Sequence, residues 1–386
     1  MGGGGSAASD PAVVAAFHAA LRDQAAVALV LAAAWVLLWR PVVRLRRQLG
    51  SASTPSASAP SAVPSGRRLL HLAEPGARRL LRLGFGALWV IDGLFQTKPA
   101  MALGLPRYVV RPAEVGTPTW VHSLISPALA LWSHHPVAAA TSAVWVQLAV
   151  GALLILAPRW GFSRVAGALS AAWAAVVWVF GEAFGGLLGT GGSWFFGQPG
   201  AAVLYLAGGL LIALPARSWG GRRLGRGLCL ALGTYFGAFA LVQAWPGRRF
   251  WAGGPSGPIA SMLHSMALTP QPGPLASVVR AAGGFASAHG LLTNLIAVIA
   301  LAVVAAGLLA GGSGRGGSRP ALLVATVVGE VLCLLAWVVV QDLGFLGATG
   351  TDPNSMPPTA LVMLATALAW RTSYRIAREP AVGLVC

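Results

Sequence analysis

Nine apolar runs punctuate the chain, at about residues 25–39, 83–95, 136–157, 165–187, 200–214, 228–245, 288–310, 322–340 and 358–370. They are rich in Ala, Leu and Val and show no period-two alternation, so they predict helices rather than strands. The first is shorter than the roughly 20 residues of a full membrane span, and its flanks are expected to extend it. Polar segments separate the runs; most are short and Arg-rich, and two, 96–135 and 246–289, are long. Residues 1–24 carry neither the basic start nor the small-residue cleavage site of a secretory signal and are expected to stay as a tail. The Ser, Ala and Pro of 50–66 predict a flexible linker inside a basic segment spanning 40–79.

Two runs end on one pattern. Trp178, Val179, Glu182 and Gly185 read W-V-x-x-E-x-x-G, and Trp337, Val338, Gln341 and Gly344 read W-V-x-x-Q-x-x-G. Each is followed by a Gly/Thr-rich loop, a proline and another apolar run. Further matches fall in the same order: Phe85-Gly86-Ala87 with Asp92 against Phe236-Gly237-Ala238 with Gln243, His135 against His289, and Pro199 against Pro357. The predicted fold is therefore an all-α membrane protein of nine transmembrane helices. One N-terminal helix precedes two tandem four-helix repeats, 80–214 and 227–370, joined by a basic loop at 215–226 and followed by a tail at 371–386. Four helices per unit is an even number, so both units share one orientation and are related by an axis along the membrane normal.

Composition agrees: 56% of the residues are hydrophobic, 10% are charged and the mean hydropathy is +0.71, which excludes an ordinary soluble domain and places the chain in a lipid bilayer. The net charge of +17 has its simplest cause in the positive-inside rule, because twenty of the 27 Lys and Arg fall in alternate segments. That assignment puts the N-terminus outside, the C-terminus in the cytoplasm and the two long segments outside. No basic face with interleaved aromatics exists, so a nucleic-acid partner is excluded. Cys229, Cys333 and Cys386 have no metal-ligand or disulfide spacing. A composition high in Ala, Gly, Arg and Trp, with Lys98 as the one lysine, points to a bacterial source and hence to the inner membrane.

Ionisable groups in hydrocarbon are costly, so Asp92, Glu182, Glu330 and Asp342 are the candidate proton-relay or buried polar residues. The outer three, Asp92, Glu182 and Asp342, are expected to stay hydrated or to pair with Lys98, Arg107 or Arg111. Glu330 lies deepest, and Gln341 comes about three turns later on nearly the same face, where Asn294 or Gln147 is the expected partner. Gln243, Asn294 and Gln341 read first as hydrogen-bonding groups between helices. His135 and His289 are equivalent in the two units, as a bis-histidine haem requires, although both stand at helix starts where an imidazole is readily solvated. Met262, His264 and Met266 offer soft ligands, but on a helix the methionines share a face and the histidine turns away. An amphipathic outer segment is the simpler reading. No Ser/His/Asp or Cys/His constellation stands out.

Leu81-Arg82-Leu83, Gly86, Gly93 and Lys98 resemble the opening of the DoxX-like family of four-helix membrane proteins. The second unit has Arg226-Gly227-Leu228 and Gly237 but Ala244 and no lysine. The resemblance covers about residues 80–375 as a tandem pair. It implies four-helix units and, as in some members, a membrane subunit or partner of a redox system, with quinone as the cofactor and an outer-face redox protein as the partner. Two rivals stand beside it: a small-molecule transporter using the interface between units along Glu330, Asn294 and Gln243, and a non-catalytic scaffold whose outer loops bind a partner.

Overall fold

The computed structural model describes residues 10–51, 74–157, 160–189, 191–314, 318–346 and 349–378, and these contain helices and no strand. The longer helices are α1 (Pro11–Ser51), α2 (Gly76–Phe95), α3 (Thr119–His134), α4 (Pro136–Leu156), α5 (Trp160–Val176), α6 (Ala201–Ala213), α7 (Arg222–Ala244), α8 (Pro258–Met266), α9 (Gly273–Ala288), α10 (Gly290–Ser313), α11 (Ser318–Leu335) and α12 (Met356–Arg378). Each of the nine expected runs is helical. Among the described residues six helical stretches are long and apolar enough to cross a membrane, in α1, α4, α5, α7, α10 and α11. The chain is thus a multi-pass membrane protein by length and composition. α2, α6 and α12 fall short of that measure, and the expected count of nine spans stands on six. α2 carries Arg78, Arg79, Arg82 and Asp92, and α6 has only 13 residues.

The N-terminal boundary differs from expectation. α1 begins at Pro11 rather than near 25, because the Asp10 side chain accepts from Ala12 N at 2.9 Å and Pro11 takes the first helical position. Among the described side chains its apolar stretch is Pro11–Val30, and Phe17 is fully buried against Ala102, Ala140 and Val144. Hydropathy marks where a helix meets lipid, whereas capping decides where it starts. The linker from 52 onward, the loops at Arg159 and Arg315 and the tail from 379 lie outside the described residues.

Small residues set the packing of the bundles. A Cβ on Gly151 of α4 would stand 2.7 Å from Gly86 O of α2, and one on Gly209 of α6 would stand 2.7 Å from Gly167 O of α5. Backbones that close are the usual contact between helices in lipid, where hydrocarbon offers no advantage to large apolar side chains. α2, α4, α5 and α6 pack together as a first bundle, α7, α10 and α11 as a second, and α12 lies beside both α7 and α2. One buried core, including Phe85, Trp89, Tyr205, Phe236 and Met363, runs through both bundles.

Arginines tie the helices at one end. Arg82 donates to Leu154 O at 2.7 Å and pairs with Glu74 at 2.9 Å. Arg78 pairs with Glu74 and donates to Ile212 O at 2.9 Å and to Ser163 Oγ at 2.7 Å. In the second bundle Arg226 donates to Gly312 O and Ser313 O, both at 3.0 Å. Each cation meets carbonyls at a helix C-terminus, where it is favoured by the helix dipole and satisfies unpaired acceptors. These arginines are fastenings, and the opposite end is left for a site.

Candidate functional site

At that opposite end the two W-V-x-x-E/Q-x-x-G segments adopt one backbone. α5 closes with a π turn, Val177–Gly181, and α11 with another, Ala336–Val340. Glu182 N donates to Val177 O and Gln341 N to Ala336 O, both at 2.9 Å. Three left-handed residues come next in each: Ala183, Phe184 and Gly185 at φ 47, 64 and 60, and Asp342, Leu343 and Gly344 at φ 49, 60 and 74. Two of each three are not glycine, a strain that proteins hold where surrounding structure demands it. The glycines are required. A Cβ on Gly185 would overlap the Pro199 carbonyl, and one on Gly344 would stand 2.7 Å from Asn354 N. His135 and His289 also match, each joining two helices at φ −131, ψ 56 and φ −130, ψ 46.

The side chains on these two frames differ. In the first, the Glu182 carboxylate reaches the N-terminus of α6 and accepts from Ala202 N at 3.1 Å. In the second, the Gln341 amide donates to Ser355 Oγ at 3.1 Å, beside the start of α12.

Beside Glu182 lies a cavity of about 350 Å³, within the range of small-molecule sites. Its wall is mostly apolar and aromatic, with Trp89, Trp132, Trp173, Phe180 and Tyr205 contributing rings. Trp89 is pinned by its Nε1 donating to Ser170 Oγ at 2.8 Å and by the edge of Tyr205 with centroids 4.6 Å apart; Trp132 Nε1 donates to Ala102 O at 2.9 Å. Asp92, Gln96, Gln147, Glu182 and Asp352 supply the polar part. Four of the lining groups have a buried atom with no hydrogen-bond partner: Asp92 Oδ1, Gln96 Oε1, Gln147 Oε1 and Trp173 Nε1. The Tyr205 hydroxyl stands beside the Asp92 carboxyl and is placed to donate to it. Asp92, Gln96 and Gln147 are only 4%, 6% and 5% exposed. Unpaired polar atoms that deep are uncommon and costly in a folded protein.

A second, more polar cavity of about 470 Å³ adjoins the first, walled by Gly186, Gly189, Gly192, Gln198 and Asn354 among others. Glu182, Thr351 and Asp352 line both. Asp352 comes from the loop before α12, where its carboxylate accepts from Thr351 Oγ1 at 2.7 Å and Asn354 N at 2.6 Å. Lys98 fastens that loop to the first bundle, donating to Phe345 O at 2.6 Å and Gly350 O at 2.8 Å. Burial with Asp352 nearby pushes Glu182 up to about 8, burial raises Asp352, and burial lowers Lys98 against the opposing pull of Asp352.

The expected pairing of Asp92 and Glu182 with Lys98, Arg107 or Arg111 is therefore absent. Among the described residues neither acid has a basic side chain in ion-pair range. Asp342 is 3% exposed with both carboxylate oxygens unpartnered, and burial raises its pKa, but it lines neither cavity. Glu330 is half-buried on α11 with Oε1 unpartnered, also away from both. Its expected partner Asn294 is engaged elsewhere, accepting from Gln243 Nε2 at 2.7 Å, while Gln147 stands on the cavity wall. The expectation that Glu330 and Gln341 share a face fails because the π turn between them adds a residue and rotates the downstream residues by roughly 100°.

The structure does not bring the metal candidates together. Met262, His264 and Met266 lie on α8, with Met266 packed against an apolar cluster that includes Val279; His135 and His289 are exposed at their helix junctions, and His289 stacks on Phe285 at 4.8 Å. Among the described residues no group of three His, Cys, Asp or Glu is placed to hold a metal ion. Tyr205 and Asp352 were missed in the sequence. The signals were slight: a phenol inside an apolar run, and an acid in a Thr-Asp-Pro-Asn turn that only the fold carries onto the other bundle. Comparison with protein-family models, curated proteins and solved structures gives no match to the chain.

Proposed function

We propose that the first bundle binds a small organic molecule, as the capture step of a transporter whose entrance is the Gly-rich outer cavity. The observation that carries this reading is the convergence of four unpartnered polar groups on a preformed, mostly apolar cavity. Groups of that kind are costly in the empty protein and gain partners when a ligand arrives. The route differs from the one between the units, because Gln243 and Asn294 bond each other and line neither cavity. The protein is read as a DoxX-like tandem pair in a bacterial inner membrane, with the cavities on the outer side. The paired π turns, left-handed turns and histidine junctions support the duplication.

A second reading, a membrane subunit or partner of a quinone-linked redox system, is favoured by the unpartnered Trp173 Nε1 on the same cavity wall, a donor suited to the oxygen of a quinone ring. Native mass spectrometry of gently solubilised protein tests the shared premise. A small molecule should co-purify with the parent and be lost from Ala143→Trp, which fills the cavity; equal spectra would end both readings. Substrate counterflow in liposomes then separates transport from quinone-dependent activity. A cysteine at Arg222 should resist impermeant maleimide in intact spheroplasts, and its labelling would reverse the orientation.

A further inference from the structure

We propose that the ligand is an organic cation, an amine or quaternary ammonium, with its charged end among Asp92, Glu182 and Asp352 and its hydrocarbon part against Trp89, Trp173 and Phe180. This rests on the small-molecule reading of the first bundle and adds the sign of the charge. Asp92, Glu182 and Asp352 are carboxyls, and no Lys, Arg or His among the described residues lines either cavity. Asp352 has Lys98 within electrostatic reach, whereas Asp92 and Glu182 have no counter-charge. Charges taken from water without a partner are strongly disfavoured, and a bound cation would supply the missing one. Asp92 adds an independent pointer, since its Oδ1 is buried, unpartnered and on the cavity wall.

The aromatic wall favours the same sign. The face of an indole or phenyl ring carries negative potential and attracts a cation within about 6 Å of its centre, more strongly when water is excluded. Access fits as well. Glu182 and Asp352 line both chambers, so a cation entering from the outer one meets its first counter-charges at the threshold.

The test uses the detergent-solubilised full chain and three probes: benzyltrimethylammonium, its neutral carbon isostere neopentylbenzene, and a benzoquinone with a short isoprenoid tail. Calorimetric titration and thermal melting should show the ammonium binding at least about tenfold tighter than the isostere, a difference of about 1.4 kcal/mol. Asp92→Asn and Glu182→Gln should each weaken the ammonium about tenfold and leave neopentylbenzene unchanged; either folded variant suffices. Isostere or quinone binding as tight as the ammonium would overturn the charge assignment while leaving the cavity reading intact. If no probe binds and Ala143→Trp behaves like the parent with all three, both readings fall.

Discussion

The two bundles set similar backbones to different uses. In the second, Gln243 and Asn294 are at most 1% exposed and closed on each other and on Ser193 from the loop before α6: Ser193 Oγ donates to Gln243 Oε1 at 2.6 Å, Gln243 Nε2 to Asn294 Oδ1 at 2.7 Å, and Asn294 Nδ2 back to Gln243 O at 3.3 Å. In the first, Asp92 occupies the position that matches Gln243 and ends on an unpartnered oxygen beside a cavity. Polarity at matched depth thus serves cohesion in one bundle and is left open in the other. What separates a hydrogen-bonding fastening from a binding group is whether its partners are already in the protein.

The largest expected effect comes from the acid that replaces an amide. Glu182, buried first of all, with Asp352 and Asp92 as like charges and Lys98 beyond Asp352, has a folded-state pKa raised from 4.5 to about 8. Its contribution to stability is therefore fully present below pH 4.5 and lost as pH rises through about 8. Melting of the ligand-free protein in detergent should fall over that window, and Glu182→Gln, which makes the first bundle resemble the second, should flatten the profile. An unchanged slope in the variant would mean that other groups set the pH response.

Gln243→Leu should lower stability by about 1–3 kcal/mol, because it leaves Asn294 Oδ1 without a donor and the Ser193 hydroxyl without its acceptor in a dry interior. Asp92→Asn should cost almost nothing, since the Oδ1 of Asp92 has no partner to lose. Denaturant titration of the two variants would erase the distinction between the bundles if their losses were equal.

The matched glycines give a smaller contrast. A Cβ on Gly86 would stand 2.7 Å from Ile155 Cγ1 and 3.1 Å from Gly151 O, whereas one on Gly237 would meet Ala305 Cβ at an ordinary 3.7 Å. Gly86→Ala should destabilise by about 1–2 kcal/mol through overpacking. Gly237→Ala should be neutral or stabilise by up to about 1 kcal/mol through helix propensity. Thermal melting reads both, and a loss at Gly237 as large as at Gly86 would show that the second pair is no looser than the first.

The smallest change is expected at Glu330, which has no hydrogen-bond partner at Oε1 and lines neither cavity. Glu330→Leu should shift stability by less than about 0.5 kcal/mol in detergent. A larger loss would expose a partner for this carboxyl and reopen the pathway between the units.

Sequence alone determined the elements that depend on near neighbours. The apolar runs specify helices and a membrane because about twenty consecutive backbone groups must bond internally once water is removed. The recurring Trp-Val-x-x-Glu/Gln-x-x-Gly pattern marked two matched places where the backbone turns left-handed and Gly185 and Gly344 have no room for a Cβ. The candidates Asp92 and Glu182 were also legible, because acids at the ends of apolar runs stand out. Their surroundings were not. Asp352 reaches them from the far end of the chain through a loop fastened by Lys98, and Tyr205, Trp89 and Trp173 converge from three different helices. The π turn that displaces Gln341 from the face of Glu330 left no mark in residue spacing. Only the tertiary structure decided which polar groups were satisfied and which were left facing a cavity, because satisfaction is a matter of distance between segments that sequence order does not encode.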